Sequence, residues 1–180
     1  MKLLPVETAL TFIEPGPLTL VTTFDAKKPN VMTISWTAAI DFNQHILLAT
    51  GPWNYSFNAL IKTKECVVCI PGPAMLKTAV KIGMLSGQTT DKFQKLHLKT
   101  YPAQQVKAPL LGGCIACLEC RVTDYIASYG LVILQVLCVW KNERCRDTRL
   151  LHAVGDGTFT ADGEKFCLRP LMKAKLPPGL

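Results

Sequence analysis

Apolar and polar positions along this chain change over in short blocks, and few stretches keep a helical period for long. PLTLVTTF at 17–24 is apolar and β-branched and predicts a strand. DAKKPN at 25–30 supplies the breakers of a turn, and VMTISW at 31–36 predicts the returning strand of a hairpin. DFNQH at 41–45 reads as a turn and ILLAT at 46–50 as a strand. After the interruption GPWN, the segment YSFNALIKT predicts a short helix with Asn54 as its N-cap. ECVVCI at 65–70 predicts a buried strand closed by Pro71, Gly72 and Pro73. AMLKTAVKIG at 74–83 has helical spacing at Met75, Ala79 and Ile82. Thr89 or Thr90 is positioned to cap a further helix through DKFQKLHL. CIACLECRVT at 114–123 and LVILQVLCVWK at 131–141 predict long strands joined by a loop around DYIASYG. Asp156-Gly157 and Asp162-Gly163 frame a short hairpin around TFTA.

The pattern predicts a mainly β fold, with six or more strands in short antiparallel pairs and two or three small helices inserted. Strands never alternate regularly with long helices, so a doubly wound parallel sheet is disfavoured. No glycine-rich dinucleotide fingerprint follows a strand, so a nucleotide, if bound, is not held in the Rossmann manner. An antiparallel barrel with helical insertions fits better.

At 180 residues the chain predicts a single domain, 1–180. Hydrophobic residues make up 49% and charged residues 18%, below the roughly 25% of an average globular chain. That deficit suits a covered apolar face, most simply in a homodimer; a large, well-packed monomer is the alternative. The net charge is +7, and between residues 62 and 107 eight lysines face only Glu65 and Asp91. Such a charge attracts anions. The lysines are scattered singly with no interleaved aromatics, which argues for solvated positions and against nucleic acid.

Eight cysteines follow a start, MKLLPVETALTFIEPG, that does not read as a secretory leader, so free thiols in a cytoplasmic protein are expected. Cys66/Cys69 and Cys114/Cys117/Cys120 have metal-like spacing but lie in strand-like runs. A spacing of three on a strand sends neighbours to opposite faces, which disfavours a shared metal. The longest mainly apolar run, 131–140, is ten residues, about half of what a membrane span needs.

Candidate chemistry is concentrated in two segments, NVMTISW at 30–36 and MLSGQTTDKF at 84–93. Together they carry hydroxyls, a lysine and a tryptophan, the groups that hold a flat ring joined to a phosphate. Ser56 and Asn58, near a helix start, are placed either to bind an anion or simply to cap. Lys92 supplies a cation to the same anion or is solvated. Trp36 is a core residue or the edge of a pocket. His45, His97 and His152 belong to no recognisable catalytic constellation, and the carboxylates are not paired for hydrolysis.

NVMTISW after a Pro-Asn turn, YSFNALIKTKECVVCIP, IGMLSGQTTDKF and VKAPLLGGCIACLECRV occur in one order over residues 5–170. In that order they resemble the flavin reductase-like group of FMN-binding split barrels, close to the flavoredoxins. The resemblance implies a six-stranded antiparallel Greek-key split barrel, dimeric, with FMN near the subunit interface. It implies that Asn30, Met32, Thr33, Ile34, Ser35 and Trp36 line the ring and ribityl chain, largely through backbone groups. Ser56 and Lys92 would hold the phosphate with Tyr55 and Ser86, and Phe166 would lie against the flavin. Where relatives often carry a histidine in a Gly-x-His-like step, this chain reads ASYGLVIL and places Tyr129.

The activity implied is an NAD(P)H-dependent flavin reductase, with NADH or NADPH as donor and flavin, oxygen, a ferric complex or a redox protein as acceptor. The alternative is a flavoredoxin-like electron carrier with bound FMN and no nicotinamide site. A non-flavin binding module on the same barrel, for example for haem, is the third reading.

Overall fold

The computed structural model describes residues 16–25 and 27–168. It begins with an antiparallel hairpin, β1 (Thr19–Phe24) and β2 (Pro29–Ile34). Asp25 closes the turn by accepting the Lys27 and Lys28 backbone N–H groups. After only Ser35 and Trp36 the chain is extended again as β3 (Thr37–Ala39), which pairs with β4 (His45–Ala49). Then follow α1 (Ser56–Thr63), β5 (Glu65–Ile70), a 3-10 turn at Pro73–Met75, α2 (Leu76–Met84) and α3 (Lys92–Lys95). The chain continues through β6 (Thr100–Tyr101), β7 (Leu110–Leu111), β8 (Ala116–Ile126) and β9 (Leu131–Lys141). A small hairpin, β10 (Leu151–Ala153) and β11 (Phe159–Ala161), comes last.

Seven strands form one antiparallel sheet in the order β2-β1-β5-β8-β9-β4-β3. Its two ends, β2 and β3, are consecutive halves of one strand broken at Ser35-Trp36. A sheet whose edges are joined by two residues must curl toward closure, and this is the split barrel. Counting the broken strand once gives the six strands expected. The break itself is a tight step in which the Thr37 N–H donates to the Ser35 carbonyl.

The period of two divides the apolar residues between two cores. Leu20, Val31, Val67, Cys69 and Cys117 pack on one side with Ala79 and Ile82 of α2. Val21, Met32, Cys66, Val68, Cys120 and Leu134 pack on the other with Phe57 and Leu60 of α1. Cys66 and Cys69 thus sit in different cores, as their spacing requires. No group of metal-ligating side chains converges among the described residues. No described helix is long and apolar enough to cross a membrane.

Several local expectations are corrected. Asn54 does not cap α1 with its side chain; its amide donates to the Thr50 hydroxyl at 3.1 Å, and Tyr55 occupies the cap position. Asp91, not a threonine, caps α3 by accepting from the Gln94 N–H. That helix lasts one turn, because His97 adopts a left-handed φ of 50° just beyond it. β8 runs on to Ile126, so the loop expected around residues 124–130 shrinks to residues 127–130. Asp162 closes no hairpin turn; its carboxylate accepts from the Leu150 N–H and bonds the His152 imidazole at 2.9 Å. His45, expected in an exposed turn, is the first residue of β4 and pairs with Asp41.

Glu119, in the middle of β8, is fully buried. Its carboxylate accepts the backbone N–H groups of Gln104, Gln105 and Val106 and the Trp140 indole N–H. Burial opposes its ionisation, but these donors outweigh that and hold the carboxyl below its ordinary range. The residues around 104–106 are thereby pinned to the sheet.

Candidate functional site

β2 is an edge of the sheet, so one row of its backbone groups is not used by a neighbouring strand. The Val31 carbonyl points outward and accepts from Lys92 Nζ at 2.7 Å. In an antiparallel strand the next residue of the same parity, Thr33, directs its backbone groups the same way. Along this edge lies a groove of about 260 Å³. Its walls are Asn30, Met32 and Thr33 of β2, Trp53 to Ser56 before and at the start of α1, and Gly83 to Gly87 at the end of α2 and just beyond it, together with Lys92.

Each wall is positioned by bonds that the sequence provides. The Thr33 hydroxyl donates to the Ala79 carbonyl at 2.7 Å and fixes α2 to the edge of β2. Asn30 Nδ2 donates to Ser56 Oγ at 2.8 Å, joining β2 to the start of α1. Ser56 is buried and keeps its own O–H to donate. α1 has no side-chain cap and no acidic residue in its first turn, so the positive end of its dipole is uncompensated. Gly87 lies flat against Asn30: a Cβ there would stand 2.2 Å from Asn30 Nδ2. Only glycine permits this approach.

Lys92, which the sequence left between a ligand role and solvation, is 5% exposed. Its ammonium donates to the Val31 carbonyl and, at 3.0 Å, to the Ile82 carbonyl. An ammonium has three donors, so one N–H is left for the groove it lines. Burial lowers its pKa to about 8, so at neutral pH it is mainly charged.

Of the expected residues, Asn30, Met32, Thr33, Tyr55, Ser56, Ser86 and Lys92 come together in this groove. Ile34 is buried in the α1-side core and offers no side-chain contact to the groove. Ser35 and Trp36 form the strand break beyond it, with Trp36 49% exposed. Tyr129 is exposed on the β8–β9 turn. That turn is held to the groove's rim by the Thr50 N–H bonding the Gly130 carbonyl and by the Trp53 ring over Gly130. Phe166 is exposed in the irregular segment after β11 and does not line the groove. His152 does not line it either. Trp53, Asn54 and Met84 line it without having been expected. The Gly-Pro-Trp-Asn interruption before α1 was the signal for Trp53 and Asn54, since a tryptophan in a loop has no core to explain it; Met84 had none.

The groove combines an edge strand's backbone groups, an uncapped helix start, a serine hydroxyl and a buried ammonium. Such a set of donors can hold an anion. A family model described as a flavin reductase like domain matches residues 13–158. The chain belongs to this flavin reductase-like family. An uncharacterized protein of Archaeoglobus fulgidus is 30% identical over 77% of this chain and 84% of its own length. Among solved structures, the flavoredoxin of Desulfovibrio vulgaris (Miyazaki F) is 25% identical, with a TM-score of 0.78 over 85% of this chain and 90% of that one. An FMN-binding domain of a flavin reductase-like enzyme from Shewanella baltica is 22% identical, with a TM-score of 0.77 over 91% and 95%.

Proposed function

We propose that the β2-edge groove holds FMN and that the protein is an NAD(P)H-dependent flavin reductase. The observation that carries this reading is the buried Lys92 ammonium, held by two carbonyls with one N–H left over, beside Ser56 at an uncapped helix start. Ser56, Lys92 and the α1 N-terminus would take the phosphate, with Tyr55 and Ser86 beside them. The outward backbone groups of β2, from Asn30 toward Ser35 and Trp36, would meet the ribityl chain and ring edge. The close approach of Gly87 to Asn30 keeps the groove clear at its phosphate end.

Bound there, FMN would supply the redox chemistry, with NADH or NADPH as donor and flavin, oxygen, a ferric complex or a redox protein as acceptor. The chain's own part is to bind, orient and leave one face of the ring open. No histidine lines the groove among the described residues, which suits a reaction that needs no protein acid or base. Trp36, Trp53, Met84 and Tyr129 are exposed at or near the groove, and a second copy of the chain covering them would complete it as a homodimer. All eight cysteines are free thiols, which supports a cytoplasmic location.

The likeness to a flavoredoxin favours a second reading, an electron carrier with FMN and no nicotinamide site. One experiment separates the two: the absorbance spectrum of the purified, FMN-loaded protein before and after anaerobic addition of NADH and then NADPH. Bleaching of the flavin band by either one supports the reductase. A flavin band that neither bleaches supports the carrier, and a protein that takes up no FMN defeats both.

A further inference from the structure

The cysteine spacing that suits no metal has another outcome in the folded chain. β5 carries Cys66 and Cys69, β8 carries Cys117 and Cys120, and the two members of each set are three apart. The strands are antiparallel, and their register sets Cys66 opposite Cys120 and Cys69 opposite Cys117. A spacing of three sends the two couples to opposite faces, so each core holds one of them. All four are free thiols.

The couples differ in backbone geometry and in access. The Val122 N–H donates to the Lys64 carbonyl, one step beyond the Glu65–Arg121 pair. Hydrogen-bonded pairs alternate along an antiparallel ladder, so Cys66–Cys120 is a hydrogen-bonded pair and Cys69–Cys117 is not. In the second kind the Cα atoms stand about 4.5 Å apart and the side chains approach more closely. A disulfide can span either pair, so access decides between them. Cys66 and Cys120 are 0% exposed, sealed in the core that packs on α1. Cys117 keeps 6% exposure and, with Cys114, lines the cleft of about 520 Å³ beside Trp140 and Tyr101. Its Sγ donates to the Leu111 carbonyl at 3.6 Å, and Leu111 lines the same cleft. Cys69 is 0% exposed but needs no access of its own, because its partner in the reaction is Cys117.

The two thiols already interact. A hydrogen bond from Cys69 lowers the pKa of the Cys117 thiol, whereas burial pushes Cys69 up. The more readily ionised sulfur of the couple is thus the one on the cleft side.

We propose that Cys69 and Cys117 are a site of reversible oxidation by hydrogen peroxide, which closes a disulfide between β5 and β8 at the floor of this cleft. The Cys117 thiolate attacks a peroxide oxygen, the O–O bond breaks, and hydroxide leaves to take up the proton that Cys117 gave. Cys117 is then a sulfenic acid. The Cys69 sulfur attacks Cys117 Sγ, the S–S bond forms as the S–O bond breaks, and the second water leaves with the Cys69 proton. Two thiols are oxidised and one peroxide is reduced to two waters. A dithiol reductant reverses the bond by exchange. None of these steps depends on the flavin reading of the other groove.

The test is disulfide mapping by tandem mass spectrometry. The reduced protein is exposed to a modest excess of hydrogen peroxide, and the remaining thiols are then alkylated under denaturing conditions. The wild type should lose two alkylatable thiols per chain to one Cys69–Cys117 linkage and regain both with dithiothreitol. Cys66→Ala and Cys120→Ala should leave that linkage in place. Cys69→Ala should abolish it and leave a Cys117 sulfenic acid that dimedone traps, at about fivefold or more the wild-type yield. A first disulfide at any other pair, Cys66–Cys120 and Cys69–Cys114 included, overturns the proposal. So does a wild-type chain whose Cys69 and Cys117 both stay alkylatable while the exposed Cys167 is oxidised. Both of these results are read on the wild type, so they decide the matter even where a variant fails to fold.

Discussion

Glu119 and Lys92 are the two charged side chains buried among the described residues, and the fold satisfies them differently. Four donors converge on the Glu119 carboxylate, three from the backbone and one from Trp140. Two acceptors meet the Lys92 ammonium, one fewer than its donors. The region around Glu119 adjoins the larger cleft, about 520 Å³, which Trp140, Tyr101 and the glycine pair Gly112-Gly113 help to line. The groove around Lys92 is half that size. Yet it is in the smaller one that spare donors, an edge strand and a helix start converge. A saturated buried charge holds the fold together, whereas a buried charge with capacity left over marks a place for a ligand. Volume alone would have selected the cleft beside Trp140 instead.

This contrast breaks most visibly at Glu119. Glu119→Ala leaves three backbone N–H groups and an indole without their acceptor and should cost about 3–5 kcal/mol in urea unfolding. The fraction that remains folded should bind FMN with wild-type affinity; a specific loss of FMN binding would erase the distinction between the two regions.

Gly87→Ala should do the reverse. Its Cβ would collide with the Asn30 amide that holds Ser56. FMN affinity should fall by roughly thirtyfold, equivalent to about 2 kcal/mol, with stability reduced by only about 1 kcal/mol. Fluorescence titration with FMN, alongside urea unfolding, checks both numbers.

The two charges should also separate by pH. Lys92 has a folded pKa of about 8, below the roughly 10.4 of an unfolded lysine. Its burial penalty is complete below pH 8 and relieved as pH rises between these values, so this group makes the fold more stable with rising pH. The FMN phosphate needs the charged form, so FMN affinity should fall through the same window, with a limiting slope of roughly tenfold per pH unit. Riboflavin affinity should stay flat. Glu119, with its depressed pKa, contributes stability that is present above the ordinary carboxyl range and lost as pH falls through the folded value. Glu119→Gln should therefore flatten the acid side of the stability profile and leave the alkaline side alone. Denaturation midpoints across pH measure this smallest effect.

Much of the scaffold was legible in the chain. ECVVCI and LVILQVLCVWK became β5 and β9 to the residue, because mainly apolar, β-branched runs bounded by breakers leave little choice. β3 was not foreseen as a separate strand. Three residues carry no pattern of their own, and its identity comes from pairing with β4. Asn54 looked like a cap because asparagine precedes the helix, but Thr50 lies one turn back and takes its amide. NVMTISW and SGQTTDKF did meet at one groove, through Asn30, Met32, Thr33, Ser86, Gly87 and Lys92. The burial of Lys92 was not legible, since a lysine after Asp91 reads as a solvated helix start. Only tertiary structure brings the Val31 and Ile82 carbonyls to it.

The central claim is that Lys92 serves a phosphate, and one comparison tests it most directly: the affinities of FMN and riboflavin for wild type and Lys92→Ala. Loss of one charge-assisted hydrogen bond should weaken FMN by about tenfold or more. Riboflavin, which lacks the phosphate, should change by less than about twofold, within the ordinary scatter of a contact-free substitution. Equal losses for the two ligands would contradict the account and return Lys92 to the same structural role as Glu119.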